Sequence, residues 1–202
     1  MIINLDHLRA GLDWWVKNDW EKDIINTDYV AIYKVRCGGV TEEWWTATVD
    51  RLSKWGVIRP YPKDKILANG KLRLSDIKCE YLKLMKEPTE PSIADLCWKD
   101  AAPFFKLASG IKPVKNKSPA FPSKMCHLLF PKLFILMDNK ATGIIDYGVW
   151  WQSMREEWCG FKAKEEAIKI LRTAAGSHLH PLYPVETKIM EISQIGVNHK
   201  SA

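Results

Sequence analysis

The chain has 202 residues, of which 47% are hydrophobic and 27% charged, and its formal net charge is +6. This length and composition exclude a disordered polypeptide and predict a single domain over residues 1–202 with a sizeable hydrophobic core. No apolar run approaches the roughly 20 residues that a membrane span requires, and the N-terminal residues carry no secretion signal, so we expect a protein that does not enter a membrane.

Apolar residues recur at spacings of three and four residues through most of the chain, which predicts helices. Alternation over five or more residues is missing, so we predict an all-α fold of about eight or nine helices and no sheet. The predicted helices are Leu5–Lys22, Thr27–Val35, Thr41–Trp55, Leu74–Lys86, Ile93–Ala108, Ser123–Leu129, Lys140–Glu157, Lys164–Ala175 and Pro184–Gln194. Residues 60–71 and 111–122 are predicted loops, and the first of them is a candidate hinge between two lobes.

The net charge is concentrated between Lys99 and Lys140. This segment holds eight lysines and two acids, whereas the rest of the chain holds 22 basic and 22 acidic side chains. A local excess of lysine favours binding to a polyanion such as DNA or RNA. The alternative is a solvated, lysine-rich loop that serves solubility.

The most informative segment is Pro122–Gly143. A short apolar helix that includes Met125 and Leu128 runs into Pro131, and the hydrophobic run Phe134–Met137 then leads directly to Asp138. An acid at the end of an apolar run is either the N-cap of the next helix or a carboxylate held in a poorly solvated place for chemistry.

This segment resembles the apolar helix, connector and catalytic aspartate of the helix-hairpin-helix DNA glycosylases. The resemblance implies a two-lobed helical fold, a hairpin-like basic segment over residues 107–122 with Gly110, and Asp138 at the cleft between the lobes. Ala120 matches the position of the lysine nucleophile of bifunctional members, and Lys124 lies one helical turn too late. The resemblance therefore implies a monofunctional enzyme that uses water as the nucleophile.

Ten tryptophans include three adjacent pairs: Trp14–Trp15, Trp44–Trp45 and Trp150–Trp151. Neighbouring helical residues point about 100° apart, so we expect one ring of each pair in the core and the other at the rim. Trp150 and Trp151, with Tyr147 on the same predicted helix, are the candidates for a pocket that stacks on an extruded base. The alternative is that these rings are core residues.

Five cysteines are scattered singly, which predicts reduced thiols in the cytoplasm and neither disulfides nor a zinc site. His127 is predicted to be a core histidine. The chain is therefore predicted to need no metal and no other cofactor, and to act as a monomer.

The predicted function is hydrolysis of the N-glycosidic bond of a damaged or modified base flipped out of duplex DNA, with Asp138 as the catalytic residue. Enlarged pyrimidines of phage DNA, attacked in antiviral defence, are one candidate substrate, and DNA repair is the other role considered. The candidate DNA contacts are Gly110, Lys112, Lys115, Lys117, Lys124 and Lys140. Two alternatives stay open: a non-enzymatic helical module that binds nucleic acid, and a scaffold whose tryptophan pairs form a protein-binding face.

Overall fold

The computed structural model describes residues 1–17, 27–85, 90–112, 118–137, 146–175 and 183–199. Within these ranges the chain forms ten α-helices and no strand, which confirms the predicted all-α fold. The helices are α1 (Leu5–Lys17), α2 (Thr27–Arg36), α3 (Glu42–Lys54), α4 (Lys63–Lys71), α5 (Leu74–Leu84), α6 (Trp98–Ser109), α7 (Ala120–Leu129), α8 (Tyr147–Gly160), α9 (Lys164–Ala175) and α10 (Val185–His199).

Two predicted boundaries in the first half of the chain are wrong. The predicted loop 60–71 contains α4, which begins after Pro62 and buries Ile66 and Gly70. Proline is favoured at the start of a helix because it lacks an amide hydrogen, so the prolines here open a helix instead of marking a loop. The predicted helix at Ile93 begins only at Trp98, because Ser92 and Asp95 close a separate turn by hydrogen bonds before it.

The two ends of the chain pack together, since α1 lies along α10 and α9 contacts both. The axes approach closely because glycines lie at the crossing. A Cβ atom on Gly11 would lie 1.9 Å from the carbonyl oxygen of Ile192, and one on Gly196 would lie 1.9 Å from that of His7. No other residue type fits at these two positions without moving the helices apart.

The helices from α2 to α7 pack on one another, with α3 in contact with α2, α4 and α7, and α6 in contact with α5 and α7. The buried side chains of these helices and of the α1–α9–α10 group belong to one connected hydrophobic cluster. The predicted hinge at residues 60–71 stays a prediction. No helix in the described ranges has the length and apolar character needed to cross a membrane.

Two of the three tryptophan pairs do not follow the expected division between core and rim. Both rings are buried at Trp44–Trp45 and at Trp150–Trp151, whereas Trp15 is buried and Trp14 is only partly so. The expectation fails at the two later pairs because α3 contacts three other helices, and because α8 packs against α6 and is hydrogen-bonded to Leu133 and to Gln194 of α10. These two pairs therefore present no face to a protein partner in this structure.

Candidate active site

The site is centred on the connector, defined here as residues 130–137, which joins α7 to Asp138. The connector is not helical, and the side chains from Leu133 to Met137 are at most 4% exposed. Its backbone polar groups must find partners inside the protein, because an unpaired buried carbonyl group costs free energy.

Those partners come from all around the connector. Seven carbonyl groups between Leu129 and Met137 accept hydrogen bonds from groups outside the local helix pattern. The donors are Arg36 Nη1 to Leu129 at 2.5 Å, Thr187 Oγ1 to Pro131 at 2.7 Å, Ile93 N to Lys132 at 2.9 Å, Trp151 Nε1 to Leu133 at 2.9 Å, His127 Nδ1 to Phe134 at 2.6 Å, Tyr147 Oη to Ile135 at 2.7 Å and Ser123 Oγ to Met137 at 3.5 Å.

The five long-reaching side chains of this set, here called the connector donors, are Arg36, His127, Tyr147, Trp151 and Thr187. They come from α2, α7, α8 and α10, so four helices converge on the last residue of α7 and the connector. A segment held at consecutive carbonyl groups from several directions cannot shift without breaking buried hydrogen bonds. The connector is therefore held in place by buried hydrogen bonds as far as Met137.

Burial sets the protonation of two connector donors. The pKa of His127 is lowered to about 3, mainly by desolvation; the hydrogen bond to Phe134 acts in the opposite direction, and the positive charge of Lys188 adds to the lowering. His127 is therefore neutral at neutral pH, with its hydrogen on Nδ1 pointing at Phe134. Burial likewise raises the pKa of Tyr147 well above its ordinary value, so its phenol keeps the hydrogen that it donates to Ile135.

A buried ion pair lies beside this arrangement on α10. Lys188 Nζ is 2.5 Å from Glu191 Oε2, both side chains are almost fully buried, and the ammonium group lies 5.9 Å from the centre of the Trp15 ring. A buried charge needs such a partner, since breaking one member of the pair leaves the other uncompensated. Both members of the pair lie on α10, the helix that also supplies Thr187 to the connector.

The cap of α8 bears on the two interpretations of Asp138. The predicted helix Lys140–Glu157 is wrong at its beginning, because α8 starts at Tyr147 with Asp146 in an extended conformation before it. The Asp146 carboxylate accepts a hydrogen bond from the amide of Val149 at 3.1 Å, so Asp146 is the N-cap of this helix. Asp138 does not cap α8. Asp138 itself, Lys140 and the other residues of 138–145 lie outside the described ranges.

The residues predicted to form a base pocket are instead core residues in this structure. Tyr147, Trp150 and Trp151 are at most 5% exposed, and their polar atoms are bound internally, Trp150 Nε1 to Gln194 Oε1 at 2.9 Å. Phe105, which is partly buried, stacks on the Tyr147 ring at 4.4 Å between centroids. The correction follows from packing, because α8 is covered by the connector, α6 and α10, and its aromatic rings hold the connector in place.

The predicted phosphate contacts are not brought together in the described part of the chain. Lys112 is 5% exposed, and its Nζ donates to the carbonyl groups of Val57 and Arg59 at 2.5 and 2.7 Å. Burial lowers the pKa of this lysine. Its ammonium group binds these two backbone carbonyl groups and does not face a phosphate. Gly110 is exposed, and Lys124 is partly exposed. The remaining predicted contacts, Lys115 and Lys117, lie outside the described ranges.

A feature that sequence reasoning missed is an open pocket of about 390 Å³ at the turn between α4 and α5. It is lined by Asn69, Leu72, Arg73, Asp76 and Gly110. The pocket was missed because most of these residues fall in or next to the predicted loop. One signal was present: Leu72 is an apolar residue between two cations, Lys71 and Arg73.

No group of three or more His, Cys, Asp or Glu side chains within the described ranges is placed to hold a metal ion. In comparisons with known proteins, no family model, curated protein or solved structure matches this chain. Inference about its function therefore depends on the chemistry and geometry of the site.

Proposed function

We propose that this protein is a monofunctional DNA glycosylase that hydrolyses the N-glycosidic bond of a base turned out of duplex DNA, with Asp138 as the catalytic carboxylate. The observation that carries the proposal is the connector. This buried, non-helical segment, held together with the end of α7 by side chains from four helices, ends at Met137, and Asp138 is the next residue.

Such a support is what a catalytic carboxylate requires. A reacting group must be held to within a fraction of an ångström, and its position is best fixed by buried neighbours that are themselves fixed by hydrogen bonds. A surface cap or a solubility residue has no need of this construction. The N-cap role at α8 is filled by Asp146, so Asp138 is not needed to cap that helix.

The proposed chemistry uses one carboxylate and one water molecule. As the bond between C1′ and the base breaks, positive charge develops on the sugar, and the Asp138 carboxylate stabilises it. Water adds its oxygen to C1′, Asp138 accepts a proton from that water, and a proton ends on the released base. The products are a free base and an abasic site, and the reaction needs no redox cofactor because no atom changes its oxidation state.

The start of α7 supports water as the nucleophile. Ala120 is the first residue of that helix and has no amine with which to attack the sugar. Lys124 lies four residues further along, one helical turn away from the position that the mechanism would need.

The test is an assay for base release on duplex DNA that carries uracil, alkylated purines or enlarged, modified pyrimidines. Asp138→Asn keeps the shape of the side chain and removes its charge, so base release should fall by about 10²–10⁴-fold while DNA affinity is kept or rises. Asp146→Asn is the matched control, because it loses the same charge eight residues away and asparagine caps helices equally well.

Equal losses in the two variants would mean that the effect is one of charge or folding, and would remove the assignment of Asp138. Binding to DNA without release of any base from the whole panel would favour the second candidate, a non-enzymatic module that binds nucleic acid. The open pocket that contains Arg73 is the observation in favour of that candidate.

A further inference from the structure

The pocket between α4, α5 and the end of α6 is here called the Arg73 groove. It is defined by Asn69, Leu72, Arg73, Asp76 and Gly110. Two sets of hydrogen bonds fix its walls. The Asn69 side-chain amide donates to the carbonyl oxygen of Ile111 at 3.0 Å. The neighbouring Lys112 ammonium group binds the carbonyls of the turn before α4. The backbone at the end of α6 is therefore held against α4.

Gly110 lines the groove beside the Arg73 side chain. Its backbone φ of −75° is one that any residue adopts, so glycine is not needed there for conformation. A Cβ atom at this position would lie 3.4 Å from Arg73 Nη1. This is an ordinary contact distance, so the glycine is not required there, but it leaves exposed backbone beside the guanidinium group.

Arg73 differs from three neighbouring lysines in having no ion pair within the described part of the chain. The nearby cations Lys63, Lys71 and Lys83 pair with Asp50, Glu42 and Glu80. Arg73 has no ion pair with any residue in the described ranges, although Asp76 lines the same groove. An exposed guanidinium group with unused donors is suited to a phosphate, which it can bind through two hydrogen bonds.

Leu72 provides an apolar tip beside this cation. It is 84% exposed in the turn between α4 and α5 and lines the groove. An apolar side chain next to cations is suited to a ligand that has both phosphates and flat apolar faces. Duplex DNA offers both where its base stack is opened, and proteins that kink DNA insert leucine at such steps.

We propose that the Arg73 groove is a contact surface for duplex DNA, in which Arg73 binds a backbone phosphate and Leu72 packs against bases at the step where the stack is opened. This inference rests on the proposed function, which requires a base to leave the stack. It assigns DNA contacts to residues other than the lysines predicted from the sequence. Residues 113–117, with Lys115 and Lys117, follow this surface directly in the chain.

The phosphate contact is tested by fluorescence anisotropy with an intact duplex over a range of salt concentrations. Arg73→Gln should weaken binding about tenfold, because a charged hydrogen bond to phosphate is lost, and should reduce the salt slope by about one. Lys78→Gln on α5 is the matched control, since it removes the same charge from an exposed position outside the groove. It should weaken binding less than about twofold.

The Leu72 contact is tested with a duplex that carries a tetrahydrofuran abasic site, in which one step of the stack is already open. The wild-type protein should prefer this duplex to the intact one by about tenfold, and Leu72→Ala should remove most of that preference. Leu82→Ala is the matched control, because Leu82 is also on α5 and 60% exposed but does not line the groove.

Equal effects of Arg73→Gln and Lys78→Gln, or of Leu72→Ala and Leu82→Ala, would overturn the inference, as would a wild-type protein that binds neither duplex. These measurements need no base release. If the groove variants behave as expected but no base is excised, the contact surface stands and the glycosylase proposal fails. If Asp138→Asn abolishes excision but the groove variants match their controls, the glycosylase proposal stands and the groove inference fails.

Discussion

At the scale of single residues, four of the five connector donors are neutral hydroxyl or ring N–H groups, and only Arg36 is charged. Tyr147 and Thr187 each donate to a connector carbonyl that is buried from water. Thr48 is a useful contrast, because its hydroxyl group is also buried but has no hydrogen-bond partner within the described part of the chain. Comparing the three residues therefore separates the effect of a buried hydroxyl group that donates a hydrogen bond from that of a buried hydroxyl group without a partner.

Removing a hydroxyl group that donates to a connector carbonyl should destabilise the protein. Tyr147→Phe and Thr187→Val leave a buried carbonyl unpaired without opening a large cavity, so each should lower the free energy of unfolding by about 1–3 kcal/mol in urea denaturation. Thr48→Val should have no such cost, because the hydroxyl that it removes pairs with nothing. Both connector variants should also lose base release more than DNA affinity. A cost at Thr48 equal to that at Thr187 would contradict this account.

His127 should make the stability of the protein depend on pH. Its pKa is about 3 in the folded protein against an ordinary value of 6.5. Below pH 6.5 the unfolded chain takes up a proton that the folded chain does not, so stability falls as the pH falls from 6.5 towards 3. The slope should be about 1.4 kcal/mol per pH unit. His127→Gln should have a shallower slope in denaturation measured at pH 7.0, 5.5 and 4.5, and an unchanged slope would exclude His127 as the cause.

At the scale of helices, the contact between α1 and α10 depends on two glycines. Gly11→Ala and Gly196→Ala place a methyl group against the carbonyl oxygens of Ile192 and His7. Alanine favours an isolated helix over glycine by about 1 kcal/mol, but the clash should outweigh this gain and lower the melting temperature. Gly160→Ala is the control, because nothing lies within 4 Å of a Cβ atom there and α8 should be unchanged or stabilised. Higher melting temperatures for all three variants would show that the two helices are farther apart.

At the scale of the whole molecule, the choice of nucleophile separates two kinds of glycosylase. The first residue of α7 is Ala120, so no amine is available at that point for a Schiff base with the sugar. We expect base release to leave abasic sites without strand breaks, and we expect borohydride to trap no adduct between protein and DNA. Gel electrophoresis before and after alkaline cleavage measures this. A trapped adduct that disappears in Lys124→Ala would instead identify Lys124 as a nucleophile.

Most of the helices could be predicted from the sequence, because helix formation depends on the spacing of apolar residues and on caps that lie within a few positions. The helix after Thr41 is an example, since the Thr41 hydroxyl group accepts from the Trp44 amide as the sequence suggests. The all-α fold follows from the same local rules. The candidate acid Asp138 was also visible, because it directly follows an apolar run in the chain.

Only the tertiary structure decided what surrounds that run. The connector donors are spread from Arg36 to Thr187, and no local rule pairs a side chain with a backbone carbonyl so far away in sequence. The same reason explains why Lys112, Trp150 and Trp151 are buried. Their residue types suggest a DNA surface, but neighbouring residues that are distant in sequence cover them. Burial is a property of the helices that close over a residue. The sequence by itself determined which segments are helical, and packing determined which of their polar groups support the site.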